Sequence, residues 1–202
     1  GQGCANSVGM AISSRWLGAQ YNRPDATLFD FDTYVLCSDG DLMEGVASES
    51  ASLAGHLQLA NLCWIYDDNK ITIEGETELA FSEDVGRRFE GFGWRIEYVD
   101  DANDASSLSR ALQAFKAETN KPTLIVVKSI IGFGAPTKAG SHSSHGAPLG
   151  PDEIAGAKEA YDWPTREAFH VPNGVGKHFQ DTMGERGQKA NALWQTAHQT
   201  LA

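Results

Sequence analysis

Two short motifs hold residue types that could do metal chemistry, Ser38-Asp39-Gly40 and Asp67-Asp68-Asn69. Each follows an apolar run with strand character, residues 33–38 and 62–66, and Asp39 lies about one β-α-β unit ahead of Asn69. If those runs are adjacent parallel strands, the two side chains meet at one sheet edge. A carboxylate with an amide oxygen suits Zn²⁺ poorly, because zinc prefers His and Cys. It suits Mg²⁺, a hard ion that takes oxygen ligands and completes its octahedron with water and substrate phosphates. The pair therefore predicts a metal-bridged diphosphate. Asp-Gly and Asp-Asn are also ordinary turn residues, and residue type alone leaves both readings standing.

The elements that would position this pair follow from periodicity. Helical spacing of apolar residues predicts helices over 4–21, 44–60, 82–92, 104–118, 151–161 and 185–201. Apolar runs predict strands at 33–38, 62–66, 95–99 and 123–131. Strands apolar throughout, alternating with helices, imply an α/β fold: a parallel sheet with helices on both faces. Ligands in such sheets bind beyond the carboxyl ends of the strands. The informative segments 39–45, 67–75 and 131–149 each follow a predicted strand, so they share one edge. Residues 162–185, with Trp163-Pro164 and Val171-Pro172-Asn173-Gly174, read as a connecting segment. The expected organisation is one domain over 1–161, then a linker and C-terminal helix over 162–202.

Composition limits the function classes. The 202 residues are 41% hydrophobic and 21% charged, as in a globular protein. The formal charge of −11 argues against nucleic acid, which requires clustered Lys and Arg. That field also repels phosphorylated ligands, so a divalent cation or a basic partner must invert it locally. Cys4, Cys37 and Cys63 show no C-x-x-C spacing and read as small buried hydrophobes in a reduced, cytoplasmic compartment. No apolar run reaches the roughly 18 residues of a membrane span. The start Gly1-Gln2-Gly3-Cys4 has no basic region before an apolar one and no initiator Met, so it reads as a chain continued upstream rather than a signal peptide.

Ser38-Asp39-Gly40 with Asp68-Asn69 resembles the Gly-Asp-Gly…Asn signature of thiamine-diphosphate enzymes, with Ser38 in place of the first Gly. Around it, Asp41-Leu42-Met43-Glu44-Gly45, Ser52-Leu53-Ala54-Gly55-His56, the segment Tyr66 to Gly75, and the segment Ala139 to Leu149 with its Ser144-His145-Gly146-Ala147-Pro148 are similar to the transketolase family. The likeness runs from Gly1 to about Trp163. It implies the diphosphate-binding (PP) domain of that family, lacking the upstream part of the domain and the pyrimidine-binding domain.

The resemblance implies specific roles. Asp39 and Asn69 side chains and the Ile71 carbonyl would coordinate Mg²⁺, for which Ca²⁺ or Mn²⁺ could substitute. Gly40 would let the backbone approach the diphosphate, and Ile73 and Ile131 would wall the cofactor. His145 would act beside the cofactor and substrate, exchanging a proton near neutrality. Glu44, and less directly Glu49, would belong to a carboxylate network between subunits. The implied reaction moves a two-carbon ketol unit from a ketose phosphate to an aldose phosphate through thiamine diphosphate. The implied partners are the sugar phosphates and a pyrimidine-domain polypeptide or remainder of the chain, in a homodimer or heterotetramer. The rivals are a deoxyxylulose-phosphate synthase or ketoacid dehydrogenase, and a non-catalytic assembly subunit. Among the other histidines, His56 is expected to pack on its helix, and His170, His178 and His198 to face solvent.

Overall fold

The computed structural model describes residues 1–164 and 166–201; Thr165 of the expected connecting segment and Ala202 of the expected C-terminal region lie outside the described residues. The chain divides into two compact units, one of residues 1–12 with 32–163, the other of 13–31 with the described residues from Pro164 onward.

The first unit is built on four parallel strands: β1 (Thr33–Ser38), β2 (Leu62–Asp68), β3 (Arg95–Val99) and β4 (Thr123–Lys128), in the order β1-β2-β4-β3. Helix α1 (Gln2–Tyr21) precedes them. The crossovers carry α2 (Asp39–Met43) and α3 (Gly45–His56), then α4 (Val85–Gly91), then α5 (Ala105–Ala117). Alternation along β2 divides the core. Leu62, Trp64 and Tyr66 face Cys4, Val8 and Ala11 of α1, Ala47, Ala51 and Ala54 of α3, and Phe89 of α4. Cys63, with Ile125 and Val127 of β4, faces Ala111 and Phe115 of α5. Helices thus lie on both faces, though Tyr34 and Leu36 of the edge strand β1 stay exposed.

Trp64, Phe89 and Trp94 form an aromatic nest with ring centroids 4.9–5.7 Å apart. Both buried indole N–H groups are satisfied, donating to Ser7 Oγ at 2.9 Å and to the Ala51 carbonyl at 2.8 Å. All three cysteines are buried free thiols, and burial pushes the Cys63 thiol up to about 12.

The expected helix over 44–60 is α3, Gly45–His56, and the short α2 (Asp39–Met43) ahead of it has no counterpart in the sequence expectation. Glu44 is extended (φ −79°, ψ 137°) and breaks the run between α2 and α3, and α3 stops at His56, ahead of Gln58 with φ 52°. The small alanines of α3 face the sheet, while Leu53, Leu57 and His56 are exposed. His56 therefore does not pack as expected. The strand expected over 123–131 ends at Lys128 because its neighbours end there: Lys128 pairs with Asp68 at the end of β2, and Val127 with Val99 at the end of β3. Helix α4 starts at its cap Asp84, whose side chain accepts from the Arg87 N–H at 3.0 Å, and α5 at Asp104, which accepts from the N–H groups of Ser106 and Ser107. Helix α6 (Pro151–Ala160) begins on Pro at its first turn.

In the second unit, the Asn22 side chain closes a turn on Leu28 and Phe29. Residues 162–185 are not wholly a connection: α7 (Val175–Phe179) and a π-helical turn (Gln180–Gly184) lead into α8 (Glu185–Leu201). Trp194 stacks on His198 and donates its indole N–H to the Leu28 carbonyl at 3.1 Å. Among the described residues no helix is long and apolar enough to cross a membrane.

The tight approach of α3 to the loop ahead of β3 gives a first expectation. A Cβ at Gly55 would lie 1.8 Å from the Phe92 carbonyl oxygen. Gly55→Ala gains about 1 kcal/mol of helix propensity, yet it must displace backbone, an overpacking cost of roughly 1–3 kcal/mol. Equilibrium denaturation should show a net loss of stability; a gain would mean the carbonyl shifts freely.

Candidate functional site

Register places the site. Ser38, the last residue of β1, pairs with Asp67 of β2, so Asp39 and Asn69 leave neighbouring strands side by side. Asp41 reaches back to accept from the Ser38 N–H at 3.1 Å, starting α2 immediately after β1. Asp39 thereby sits in the first turn of α2 with no exposed surface.

Both oxygens of Asp39 are held. Oδ1 accepts from the Tyr66 hydroxyl at 2.6 Å, and Oδ2 from the Lys70 N–H at 3.0 Å. Tyr66 also lies 2.8 Å from Asp68 Oδ1, which pairs with the Lys70 ammonium at 2.5 Å. The Asn69 amide is oriented as well: Nδ2 donates to Asp67 Oδ2 at 3.1 Å, and Oδ1 accepts from the Ile71 N–H at 2.9 Å. Each of these oxygens keeps a lone pair beyond the hydrogen bond described, since a carboxylate or amide oxygen has two. Between Asn69 and Ile71, Lys70 adopts φ 63°, a left-handed conformation uncommon for a residue with a long side chain. That twist opens a small hairpin in which the Thr77 N–H donates to the Lys70 carbonyl and the Thr72 N–H to the Gly75 carbonyl. Strain of this kind concentrates at ligand clamps.

Beside this cluster is a cleft of about 510 Å³ lined by Ser38, Gly40, Glu44, Ile73 and His145, among others. A Cβ added to Gly40 would meet nothing within 4 Å, so the backbone there faces open space. Ile73 is 69% exposed, an apolar side chain standing on a polar wall. His145 caps a short 3₁₀ turn (His142–Ser144), its N–H donating to the His142 carbonyl at 3.0 Å, and its ring is exposed. Glu44 and Glu49 are exposed. Ile131 is half-buried and does not line this cleft; its carbonyl accepts from the Gly140 N–H at 2.8 Å. The structure therefore gathers Gly40, Glu44, Ile73 and His145 around one cleft, next to the cluster of Asp39, Asn69 and Ile71. Sequence reasoning missed Tyr66, Asp68 and Lys70. Their signal was present: Tyr66 and Asp68 share the inward face of β2 with Leu62 and Trp64, and a polar side chain there demands a partner.

The family model described as "Transketolase, thiamine diphosphate binding domain" matches residues 1–202. The chain belongs to the transketolase family. It is 50% identical over 194 residues to a transketolase of Geobacillus stearothermophilus, covering 96% of this chain and 29% of that protein. It is 47% identical over 195 residues to transketolase 1 of Saccharomyces cerevisiae, covering 96% and 28%. A crystal structure of Pichia stipitis transketolase in complex with sedoheptulose-7-phosphate superposes with a TM-score of 0.94 at 44% identity, over 100% of this chain and 30% of that one. The Campylobacter jejuni transketolase structure gives 0.90 at 40%, over 100% and 31%. The chain thus spans under a third of the transketolases it matches, and its fold is that of their thiamine-diphosphate-binding PP domain.

The electrostatics of Asp39 generate a second expectation. Burial, reinforced by the charge of Asp68, raises its carboxyl above the usual range against the opposing bond from Tyr66. A carboxylate raised in the folded state lowers stability at pH above its unfolded value, and the loss is relieved as pH falls. In Asp39→Asn the amide oxygen can take the Lys70 N–H, while its nitrogen donates to the Tyr66 oxygen and the phenol donates to Asp68. With EDTA present, the thermal midpoint of this variant at pH 8 should equal or exceed wild type. A lower midpoint in EDTA would contradict this account of the charge.

Proposed function

We propose that this chain is the diphosphate-holding part of a transketolase that transfers a two-carbon ketol unit from a ketose phosphate to an aldose phosphate. The observation that supports the reading is Asp39, just after β1, bonded to the Lys70 N–H of the loop that carries Asn69 just after β2, beside the open backbone of Gly40. Asp39 and Asn69 side chains with the Ile71 carbonyl would hold Mg²⁺, or Ca²⁺ or Mn²⁺ in its place. The donor set is all oxygen, and water with diphosphate oxygens would complete the shell. In a chain of charge −11, that cation makes a diphosphate tolerable where the overall field repels it.

Thiamine diphosphate, when bound, supplies the nucleophilic carbon that takes up the two-carbon unit. The protein's part is position and proton handling. Gly40 leaves room for the diphosphate and Ile73 presents apolar surface to the cleft, while Ile131, which would also wall the cofactor, does not line that cleft. His145 reaches the cleft from the loop after β4, where an imidazole can orient a substrate hydroxyl and exchange its proton. Glu44 faces the same cleft and would join a carboxylate network with a second subunit. Residues 1–161 act as the PP domain and 162–202 lead toward a pyrimidine-binding domain. That domain comes from the remainder of the chain or another polypeptide, in a homodimer or heterotetramer working in the cytoplasm on pentose phosphates. A deoxyxylulose-phosphate synthase or a non-catalytic assembly subunit is disfavoured by relatives that carry the transketolase name at 47–50% identity.

The test is two-carbon transfer to an aldose phosphate by the intact protein with Mg²⁺ and thiamine diphosphate, offering a ketose phosphate or pyruvate as donor. Preference for pyruvate, or no heat of cofactor binding, would overturn the assignment. His145→Ala should reduce turnover by about 10²–10⁴-fold while leaving Mg²⁺-dependent cofactor affinity within a few-fold, as measured by calorimetry.

A further inference from the structure

We propose that Tyr66 is the positioning residue of the metal site, its phenol donating its single proton to the Asp39 carboxylate while the Lys70 ammonium neutralises Asp68 beside the phenol oxygen. The inference rests on the Mg²⁺ reading given above.

Packing alone does not call for this hydroxyl. Tyr66 is 1% exposed on the inward face of β2, where phenylalanine would fill the same space without burying a polar atom. Instead the phenol oxygen lies 2.6 Å from Asp39 Oδ1 and 2.8 Å from Asp68 Oδ1. It is therefore a tether between two strand ends, with Asp39 following β1 and Tyr66 and Asp68 on β2.

Lys70 closes the arrangement by acting twice. Its backbone N–H donates to Asp39 Oδ2 at 3.0 Å, and its ammonium pairs with Asp68 at 2.5 Å. The segment supplying the other two candidate ligands, Asn69 and Ile71, flanks Lys70 in sequence. Tyr66, Asp68 and Lys70 thus tie the Asp39 carboxylate to the loop that must present Asn69 and the Ile71 carbonyl with it. Mg²⁺ demands near-ideal octahedral geometry, so a carboxylate free to swing about its Cα–Cβ bond is a poor ligand. Partners behind a metal ligand typically govern 10–100-fold in metal affinity.

The experiment is a Mg²⁺ titration of the intact protein at fixed thiamine diphosphate, read by calorimetry, on wild type, Tyr66→Phe, Asp68→Asn and Leu124→Val. Leu124 lies on β4 opposite Trp64 and serves as a core control away from the phenol. Tyr66→Phe should weaken apparent Mg²⁺ affinity about 10–100-fold, with cofactor binding restored at saturating Mg²⁺. Asp68→Asn, which leaves the phenol in place, should lose less. Leu124→Val should lower the thermal midpoint in EDTA without moving Mg²⁺ affinity. Tyr66→Phe with Mg²⁺ affinity within twofold of wild type would overturn the role of the phenol, as would an equal loss in Leu124→Val. Wild type showing no Mg²⁺-dependent binding would instead remove the metal reading on which the inference stands.

Discussion

A single parallel pairing governs this domain. When Ser38 of β1 lies opposite Asp67 of β2, the chain leaves both strands at one edge and the Asp39 carboxylate accepts from the Lys70 N–H of the loop after β2. A slip of one residue would turn Trp64 and Tyr66 to the other face and carry Asp68 away from Asp39. The register is secured by what lies beneath it: Trp64 packed against Phe89 and Trp94, and its indole bonded to Ser7 of α1. The apolar core sets the strand alignment, and the alignment sets the site.

The polar edge is costly on its own terms. Asp39 has no exposed surface and lies near Asp68, so its charge is held against both desolvation and a like neighbour. Two hydrogen bonds and the Lys70 ammonium offset part of that cost. Lys70 itself occupies a left-handed conformation. A fold optimised for stability alone would place apolar residues at 39 and 68 and glycine at 70. Local violations of this kind are expected where a site is pre-shaped for a ligand.

Much of this was legible in the sequence, and for identifiable reasons. β1, β2 and β4 are largely apolar runs, so their existence and parallel pairing follow from patterning, and Asp39 and Asn69 stand out because each follows such a run. Where an element ended was harder to read. Ser129, Ile130 and Ile131 look like strand, but no neighbouring strand extends far enough to pair with them. The short α2 over Asp39–Met43, ahead of the extended Glu44, is too brief to show a period in the sequence. The Ile71 carbonyl and the loop residue His145 came into view only through resemblance, since a backbone atom has no sequence signature and a loop has no period. Tyr66 and Asp68 were passed over as the end of a strand, although their inward position marked them as partners needing partners.

The strand order has a consequence for how the molecule comes together. Residues 33–69 form one consecutive β-α-β unit, so the edge that carries Asp39 and Asn69 is built from contacts local in sequence. β3 follows, yet it has no pairing with β2; the strand between them, β4, is the last of the four. Until residues 123–128 arrive, the sheet is two separate pieces, with the inner edge of β2 unsatisfied along its length. The loop bearing His145 leaves the end of that same strand. The residue proposed for proton transfer therefore reaches its cleft only after the strand that unites the sheet is in place.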